Sequence, residues 1–330
     1  MPSASGPEPP AVIPPAGPAR QALEAAAEYV WYAWQAPSES TRRAYRAGWT
    51  DFRAWCRAAG WIPLPAAAET VAAYLASLAA THSRSTLQQR LAAIGQAHRL
   101  AGLEWSPSHP AIRNTLRGIA RRHGSAKRRA AALTTAEIRK LVATCAHDLT
   151  GERDRALLLL GFAGALRRSE LVGIDREHIT LKADGLRLLL PRSKGDQTGE
   201  GAEIDIPKGK HPETCPLRAL ETWLRLSECE YGPVFRKVDL WGNVETRRLH
   251  PDAVRQILLR RAKLAGLTVP AGERLSPHGL RAGFVTEAYM AGARDEQIME
   301  HTRHKDLKVM RGYIRRAKLV SESPAKLLGL

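Results

Sequence analysis

Residues 276–313 read SPHGLRAGFVTEAYMAGARDEQIMEHTRHKDLKVMRGY, and this stretch brings together side chains that could hold and attack a phosphodiester. His278 and Arg281 stand three positions apart, so on a helix that begins there they share one face near its N-terminus. Backbone N–H groups and the helix dipole favour an anion at that end, and a planar guanidinium can bind two phosphate oxygens at once. His304 and Tyr313 close the stretch, and the phenol becomes a nucleophile only if a neighbouring group activates it.

The composition of the chain indicates a folded protein with a polyanionic partner. Hydrophobic residues make up 44% and charged residues 25% of the 330 positions, which are ordinary values for globular proteins. The length suggests about two domains. Lys and Arg exceed Asp and Glu by 50 to 33, which gives a formal net charge of +17. This excess favours nucleic acid as the partner, because basic side chains release condensed counterions from phosphates, although a solvated basic surface has the same charge.

Cysteine usage and apolar runs narrow the class of protein further. Cys56, Cys145, Cys215 and Cys229 lie far apart, and their spacing matches neither a metal site nor a disulfide framework. We therefore expect a reducing cytosol, and no metal or other cofactor. The longest apolar run, residues 156–166, is too short to span a bilayer, so we expect no membrane partner.

The first third of the chain predicts a disordered start followed by a small helical domain. Residues 1–20 are rich in Pro and Ala without the apolar region of a signal peptide, so we expect them to be disordered. From residue 21 to 120, apolar side chains recur at helical spacing, and one helix is expected from an N-cap at Ser40 to a C-cap at Gly60. Arginines on these helices that could contact DNA are Arg42, Arg43 and Arg90.

Residues 121–132 form a basic segment that is poor in apolar residues, and we predict that it links two domains. Its charge could reflect solvation alone. However, two helical domains joined by a basic segment on a basic protein suggest a clamp around a duplex. The linker residues expected to contact the DNA backbone are Arg121, Arg122, Lys127, Arg128 and Arg129.

The second domain, residues 133–330, is predicted to be mixed α+β. Thr134 and Glu137 form a capping-box pattern at its first helix. Three short strands that form a small antiparallel sheet are predicted at residues 178–182, 186–191 and 202–207. Helices are expected again from Pro216 onward. The tail, residues 318–330, is apolar enough to dock on a neighbouring copy or on its own domain.

A second group of charged residues follows the long apolar run. Arg167 comes directly after the run, where a charge is costly unless it is paired. Glu170, three residues further on, can hold the guanidinium by a charge-assisted hydrogen bond. A purely structural ion pair would have the same pattern.

Taken together, these segments resemble the tyrosine recombinase (phage integrase) family. The matching motifs are ALRRSEL at residues 165–171, HGLR at 278–281 and HKDLKVMRGY at 304–313, in the order and spacing of the family. The resemblance covers residues 133–316 closely and the preceding helical domain more loosely. It implies a mainly α protein, in which an all-α N-terminal core-binding (SAM-like) domain precedes a mixed α+β catalytic domain with a small antiparallel three-stranded sheet.

Carried onto this chain, the resemblance implies a role for each matched residue. Arg167 and Arg281 would bind the non-bridging oxygens of the scissile phosphate, and Glu170 would support Arg167. His278 would take part in proton transfer near the attacking phenol. Tyr313 would be the nucleophile.

Two implied positions have competitors in the sequence. The family carries a lysine in the turn between the second and third strands, which corresponds to Lys194, with Lys208 as a second choice just past the third strand. His304 would hydrogen-bond the phosphate and stands at the family's spacing of nine residues before the tyrosine, whereas His301 stands twelve before it. The family usually carries glycine immediately before this histidine, whereas this chain has Arg303.

The implied activity is site-specific DNA recombination or integration. A 3′-phosphotyrosyl intermediate would store the energy of the broken bond, so that rejoining needs neither metal nor ATP. The implied partner is double-stranded DNA with paired binding sites, bound by a homodimer at each site and a homotetramer in the synapse, in a bacterial cytoplasm at the nucleoid. Two alternatives stay open: a type IB topoisomerase, which shares this chemistry, and a catalytically silent DNA-binding regulator.

Overall fold

The computed structural model describes residues 38–124, 128–191, 201–314 and 328. Two compact units divide the chain, Met1–Ala126 and Lys127–Leu330. The predicted disordered start, Lys127, the turn that contains Lys194, and the tail after residue 314 (apart from residue 328) lie outside the described residues.

Helices build the described part of the first unit. They are α1 (Glu39–Ala59), α2 (Ala68–Ser77), α3 (Arg84–Leu100) and α4 (Pro110–His123). α1 packs against α3 and α2 against α4, around a core in which Phe52 and Tyr74 are fully buried. The N-cap of α1 is Ser38 and not Ser40, because the hydroxyl of Ser38 accepts a hydrogen bond from the first turn. The helix ends as predicted at Gly60, which adopts the left-handed conformation.

The second unit is mixed α+β, and the predicted fold class is confirmed. Its helices are α5 (Thr135–Ala143), α6 (Leu149–Ala163), α7 (Arg168–Val172), α8 (Pro216–Leu226), α9 (Pro251–Leu264), α10 (His278–Met290), α11 (Asp295–Thr302) and α12 (Leu307–Ile314). Its strands are β1 (Arg129–Ala130), β2 (Ile179–Lys182), β3 (Gly185–Leu190), β4 (Ala202–Pro207), β5 (Arg236–Val238), β6 (Val244–Arg248) and β7 (Glu273–Arg274). β2, β3 and β4 form the predicted antiparallel sheet, whereas the β5–β6 hairpin and the parallel β1–β7 pair were not predicted.

The basic segment between the units is shorter than the predicted 121–132. Arg121 and Arg122 lie in the last turn of α4, where cationic side chains interact favourably with the helix dipole. At the other end, Arg129 and the residue after it pair with β7. Helix and strand therefore shorten the predicted linker from both sides.

The core of the second unit surrounds α6. The Asp148 carboxylate caps this helix by accepting a hydrogen bond from the N–H of Gly151 at 2.6 Å. Residues 156–160 are at most 4% exposed, because α5, α8 and α10 cover the helix. Within the described residues, no helix has the combination of length and apolar composition needed to cross a membrane.

A main-chain segment that follows β1 packs directly on α10. The N–H of Leu133 donates to the carbonyl oxygen of Gly279 at 3.1 Å. A Cβ atom on Gly283 would lie 1.8 Å from the carbonyl oxygen of Leu133, and one on Gly279 would lie 2.3 Å from that of Ala131. Glycine at both positions therefore permits the close approach that fixes the N-terminal end of α10.

Candidate active site

Most of the residues implied for catalysis meet at one place in the second unit. They come from the N-terminal end of α7, the first turn of α10, the α11–α12 turn and α12, and are Arg167, Glu170, His278, Arg281, His304 and Tyr313. Lys194 lies outside the described residues. Lys208 is exposed directly after β4, and its role stays a prediction.

Arg281 is held in place by main-chain oxygens. Its side chain is buried, with the residue 1% exposed. Nη1 donates to the carbonyl oxygen of Ala165 at 2.7 Å, and Nη2 donates to that of Thr302. Nη2 also lies 3.3 Å from Nε2 of His304. Burial and the neighbouring arginine charges lower the pKa of Arg281 to about 10, so the guanidinium remains protonated at neutral pH.

Glu170 joins two arginines. Its Oε1 accepts from Nη1 of Arg167 at 2.5 Å, and its Oε2 accepts from the N–H of Arg167 at 3.0 Å and from Nη2 of Arg303 at 2.9 Å. Burial acts to raise the pKa of the carboxyl group, but the charges of both arginines and the hydrogen bonds from Arg167 outweigh it and lower the pKa. Glu170 is therefore ionised at neutral pH. The side chain of Arg167 is 27% exposed, so part of its guanidinium remains accessible.

Thr302 orients the ring of His304. The Thr302 hydroxyl donates to the carbonyl oxygen of Ile298 at 2.5 Å, so its oxygen accepts the Nδ1–H of His304 at 2.6 Å. This network assigns the tautomer of His304 that is protonated on Nδ1. Its Nε2 is then unprotonated and accepts a hydrogen bond from Nη2 of Arg281. Burial and the arginine charges lower the pKa of His304 to about 4, so the ring is neutral at neutral pH.

His278 lies against the hydroxyl of Tyr313. Its Nε2 is 2.8 Å from the phenol oxygen, and the centroid of the His304 ring is 5.7 Å from that of Tyr313. Burial raises the pKa of Tyr313, while the charges of Arg281 and Arg167 oppose this effect. Burial and the arginine charges lower the pKa of His278, although part of its ring faces solvent. A neutral His278 can therefore accept the phenol proton.

The competing His301, and Tyr289 as a second tyrosine near the site in sequence, have other contacts. Nε2 of His301 is 2.8 Å from the carbonyl oxygen of Ala163, and its ring stacks on Phe284 with centroids 4.5 Å apart. Tyr289 is partly buried against the small apolar cluster that joins α10, α11 and α12. These contacts are typical of packing residues.

The residues predicted to contact DNA are distributed over both units. Arg43, Arg121, Arg122, Arg128 and Arg129 are exposed, and Arg42 and Arg90 are partly buried. Arg90 lies 3.7 Å from the carboxylate of Asp51, and Arg128 donates to the carbonyl oxygen of Glu273 at 2.9 Å. Contact of any of these residues with DNA stays a prediction.

Some groups of the site had no signal, or a weak one, in the sequence. The carbonyl oxygens of Ala165 and Thr302 hold Arg281, and main-chain atoms leave no residue pattern. Ala165 adopts a φ of 46° and Arg303 a φ of 58°, a conformation uncommon for residues other than glycine. In the sequence, Arg303 stands out only as a departure from the family's glycine. In the described parts of the chain, no three His, Cys, Asp or Glu side chains could jointly hold a metal ion.

Comparisons with known proteins agree on one family. The sequence profile of the phage integrase family matches residues 131–319. An integrase/recombinase of Selenomonas ruminantium, described as a xerD homolog, is 34% identical over 292 residues, which are 87% of this chain and 84% of the relative. The tyrosine recombinase XerC of Pseudomonas aeruginosa is 34% identical over 163 residues, 48% of this chain and 46% of the relative.

Solved structures show the same fold. A lambda integrase dimer bound to a COC′ core site superposes with a TM-score of 0.58 at 18% identity, over 88% of this chain and 95% of that chain. The XerH site-specific recombinase bound to difH substrate superposes with a TM-score of 0.53 at 19% identity, over 77% of this chain and 69% of that chain.

Proposed function

Because the chain belongs to the phage integrase family and is a tyrosine site-specific recombinase, we propose that Tyr313 cleaves one DNA strand and stays joined to its 3′ phosphate. The observation that carries this proposal is the 2.8 Å contact between the Tyr313 hydroxyl and Nε2 of His278. Because burial raises the pKa of the phenol, it is protonated at neutral pH and needs an adjacent base at the moment of attack. His278 is that base.

In the proposed step, the phenol oxygen attacks phosphorus. A bond from phosphorus to Tyr313 forms, and the bond to the 5′ oxygen breaks. The phenol proton passes to Nε2 of His278, and in this proposal Lys194 gives a proton to the departing 5′ oxygen as general acid. Because one ester of phosphoric acid replaces another, a 5′-hydroxyl can reverse the step without ATP.

We propose that Arg167 and Arg281 bind the two non-bridging oxygens of the scissile phosphate. Negative charge builds up on these oxygens in the transition state, and preorganised cations stabilise it most. Arg281 is preorganised by two carbonyl oxygens, and Arg167 by Glu170. These cations supply charge stabilisation that a metal ion would otherwise provide.

The proposed phosphate contact of His304 requires a change of protonation. Its Nε2 carries a lone pair in the DNA-free arrangement, because Nδ1–H is used on Thr302. A phosphate oxygen needs a donor there. The negative charge of a bound phosphate favours the protonated ring, so we propose that His304 gains a proton when DNA binds.

We propose that the substrate is double-stranded DNA with paired sites, bound by a dimer at each site and a tetramer in the synapse. Lambda integrase has been solved as a dimer bound to a COC′ core site and as a tetramer bound to a Holliday junction. The net charge of +17 suits a polyanionic substrate. Light scattering of the complex with a single site is expected to give two protein chains per duplex.

Trapping of a covalent complex tests the proposed cleavage. The probe is a pool of nicked suicide duplexes in which two inverted binding arms are randomised, so that the target sequence need not be known. After denaturation, the retained DNA is sequenced and the attached peptide is mapped by mass spectrometry. We expect a nucleotide adduct on Tyr313 and a free 5′-hydroxyl that polynucleotide kinase can label directly.

Two matched variants make the test specific. Tyr313→Phe should abolish the adduct, whereas Tyr289→Phe should retain it, because Tyr289 packs in an apolar cluster. An adduct that survives in Tyr313→Phe, or a released end that carries a 5′-phosphate, would overturn the proposal.

A further inference from the structure

Arg303 has a backbone conformation that suits glycine and a side chain that spans the site. It ends α11 in the left-handed region, with φ 58° and ψ 42°. Its Nη2 donates to Oε2 of Glu170 at 2.9 Å, and its Nη1 donates to the carbonyl oxygen of His301 at 3.1 Å. The side chain is only 11% exposed, and its Nε is buried without a hydrogen-bond partner among the described residues.

The first consequence of this contact is electrostatic. The buried carboxylate of Glu170, with its side chain 3% exposed, would otherwise direct its whole negative charge at Arg167. Because Arg303 donates to the same carboxylate, it neutralises part of this negative charge. Three guanidinium groups less one carboxylate leave two positive charges among Arg167, Glu170, Arg281 and Arg303. A phosphodiester carries one negative charge, and its pentavalent transition state gathers a second one on its oxygens.

The second consequence is mechanical. The turn that contains Arg303 also supplies the carbonyl oxygen of Thr302 to Arg281 and the hydroxyl of Thr302 to His304. Glu170 lies in the first turn of α7. The ion pair therefore ties together the two turns that position the phosphate-binding groups.

We propose that Arg303 is a positioning residue for strand cleavage: by neutralising Glu170 and tying the two turns together, it lets Arg167 act on the phosphate with its full charge. This role rests on the proposed function, because it needs a phosphate held by Arg167. Arg303 itself does not touch the reacting atoms. Its action passes through Glu170.

Single-turnover cleavage and DNA affinity, measured separately, test this role. The probe is the suicide duplex whose arms are recovered by the selection described above. Arg303→Met removes the charge, and Arg303→Gly removes it while restoring the residue that the backbone favours. We expect both variants to cleave about 10- to 100-fold more slowly with DNA affinity unchanged, because they weaken an interaction made in the transition state. Arg303→Lys keeps the charge without the planar fork and should recover part of the rate.

A cycle with Glu170→Gln separates this role from a purely structural one. If Arg303 acts by neutralising Glu170, Arg303→Met should cost much less in the Glu170→Gln background, where no carboxylate remains to be neutralised. Glu228→Gly is the matched control, because Glu228 also has a left-handed backbone, with φ 48°, next to the end of α8. It should leave cleavage unchanged.

The outcomes are distinguishable. Arg303→Gly cleaving as fast as the unmodified protein would show that only the turn conformation matters and would overturn the proposal. An equal loss in both Glu170 backgrounds would overturn it as well. If Arg303→Met does not fold, Arg303→Lys and Arg303→Gly carry the test, and equal rates for these two variants would overturn it. If the unmodified protein forms no adduct on Tyr313, the proposed function itself fails, and the role of Arg303 fails with it.

Discussion

Substituting Gly283 by alanine should loosen the packing of the main chain on α10 and slow cleavage. The added Cβ would lie 1.8 Å from the carbonyl oxygen of Leu133, and real contacts of this kind essentially never fall under 3.0 Å. The segment must therefore move by at least 1.2 Å, the difference between these two distances. The neighbouring hydrogen bond from the N–H of Leu133 to Gly279, now 3.1 Å, would then stretch beyond a useful length.

The expected cost follows from these two effects. Overpacking costs about 1 to 3 kcal/mol and the lost hydrogen bond about 0.5 to 1.5 kcal/mol, and the higher helix propensity of alanine returns up to about 1 kcal/mol. With the full helix-propensity gain subtracted, the net loss of about 0.5 to 3.5 kcal/mol corresponds to a fall of roughly 1 to 14 °C in the Tm of the second unit. Because α10 carries His278 in its first turn, a shift of about 1 Å should also slow single-turnover cleavage by about 100-fold.

Differential scanning calorimetry and the suicide-substrate assay check both parts. Gly312→Ala is the matched control for stability, because a Cβ at Gly312 would have no atom within 4 Å. It should leave Tm unchanged or raise it, because alanine is more favourable than glycine inside a helix by about 0.5 to 1 kcal/mol. A Gly283→Ala protein with the Tm and cleavage rate of the unmodified chain would refute the reasoning from close approach.

Other predictions concern charge and protonation. Asp154 is fully buried and accepts hydrogen bonds from three arginine side chains, so Asp154→Asn should cost about 3 to 5 kcal/mol in chemical denaturation; a cost below about 1 kcal/mol would contradict this. Because burial and arginine charges lower the pKa of His278, it stays neutral as pH falls through its ordinary value of 6.5, and the acidic limb of kcat/KM should lie below that pH. A limb at or above 6.5 would exclude His278 as the base. Because burial raises the pKa of Tyr313, the phenolate absorbance that is lost in Tyr313→Phe should have its titration midpoint above pH 10.0 in the DNA-free protein; a midpoint below pH 10.0 would contradict the contribution of burial.

Local sequence signals predicted much of the fold. Thr134 and Glu137 form the predicted capping box with both hydrogen bonds, and α8 begins at Pro216, from which helices were expected again. The β5–β6 hairpin escaped prediction because its strands are short and the apolar residues at its tip are exposed, Leu240 by 97% and Trp241 by 84%. Asp239 holds this turn by accepting from two main-chain N–H groups, which is a local contact without hydrophobic periodicity.

The site was predictable where side chains carry the chemistry and unpredictable where the backbone does. Motif spacing singled out His278, Arg281 and Tyr313, which lie together in the structure. It gave no sign that Thr302 supports both Arg281 and His304, because a threonine before a histidine has many uses. Such contacts depend on how two distant turns meet, which no local pattern encodes.

The contacts of Arg281 explain how a buried cation can remain ready for a phosphate. A guanidinium has five N–H donors. In the DNA-free arrangement, one contact goes to Ala165, one to Thr302 and one to Nε2 of His304. Two donors are therefore left for phosphate oxygens, so substrate binding need not break the two main-chain contacts that hold the side chain. A lysine has three donors and no fixed plane, so it could not keep both main-chain contacts and also offer two donors to the phosphate. The same main-chain oxygens that make burial of the charge tolerable thus also orient it for the proposed reaction.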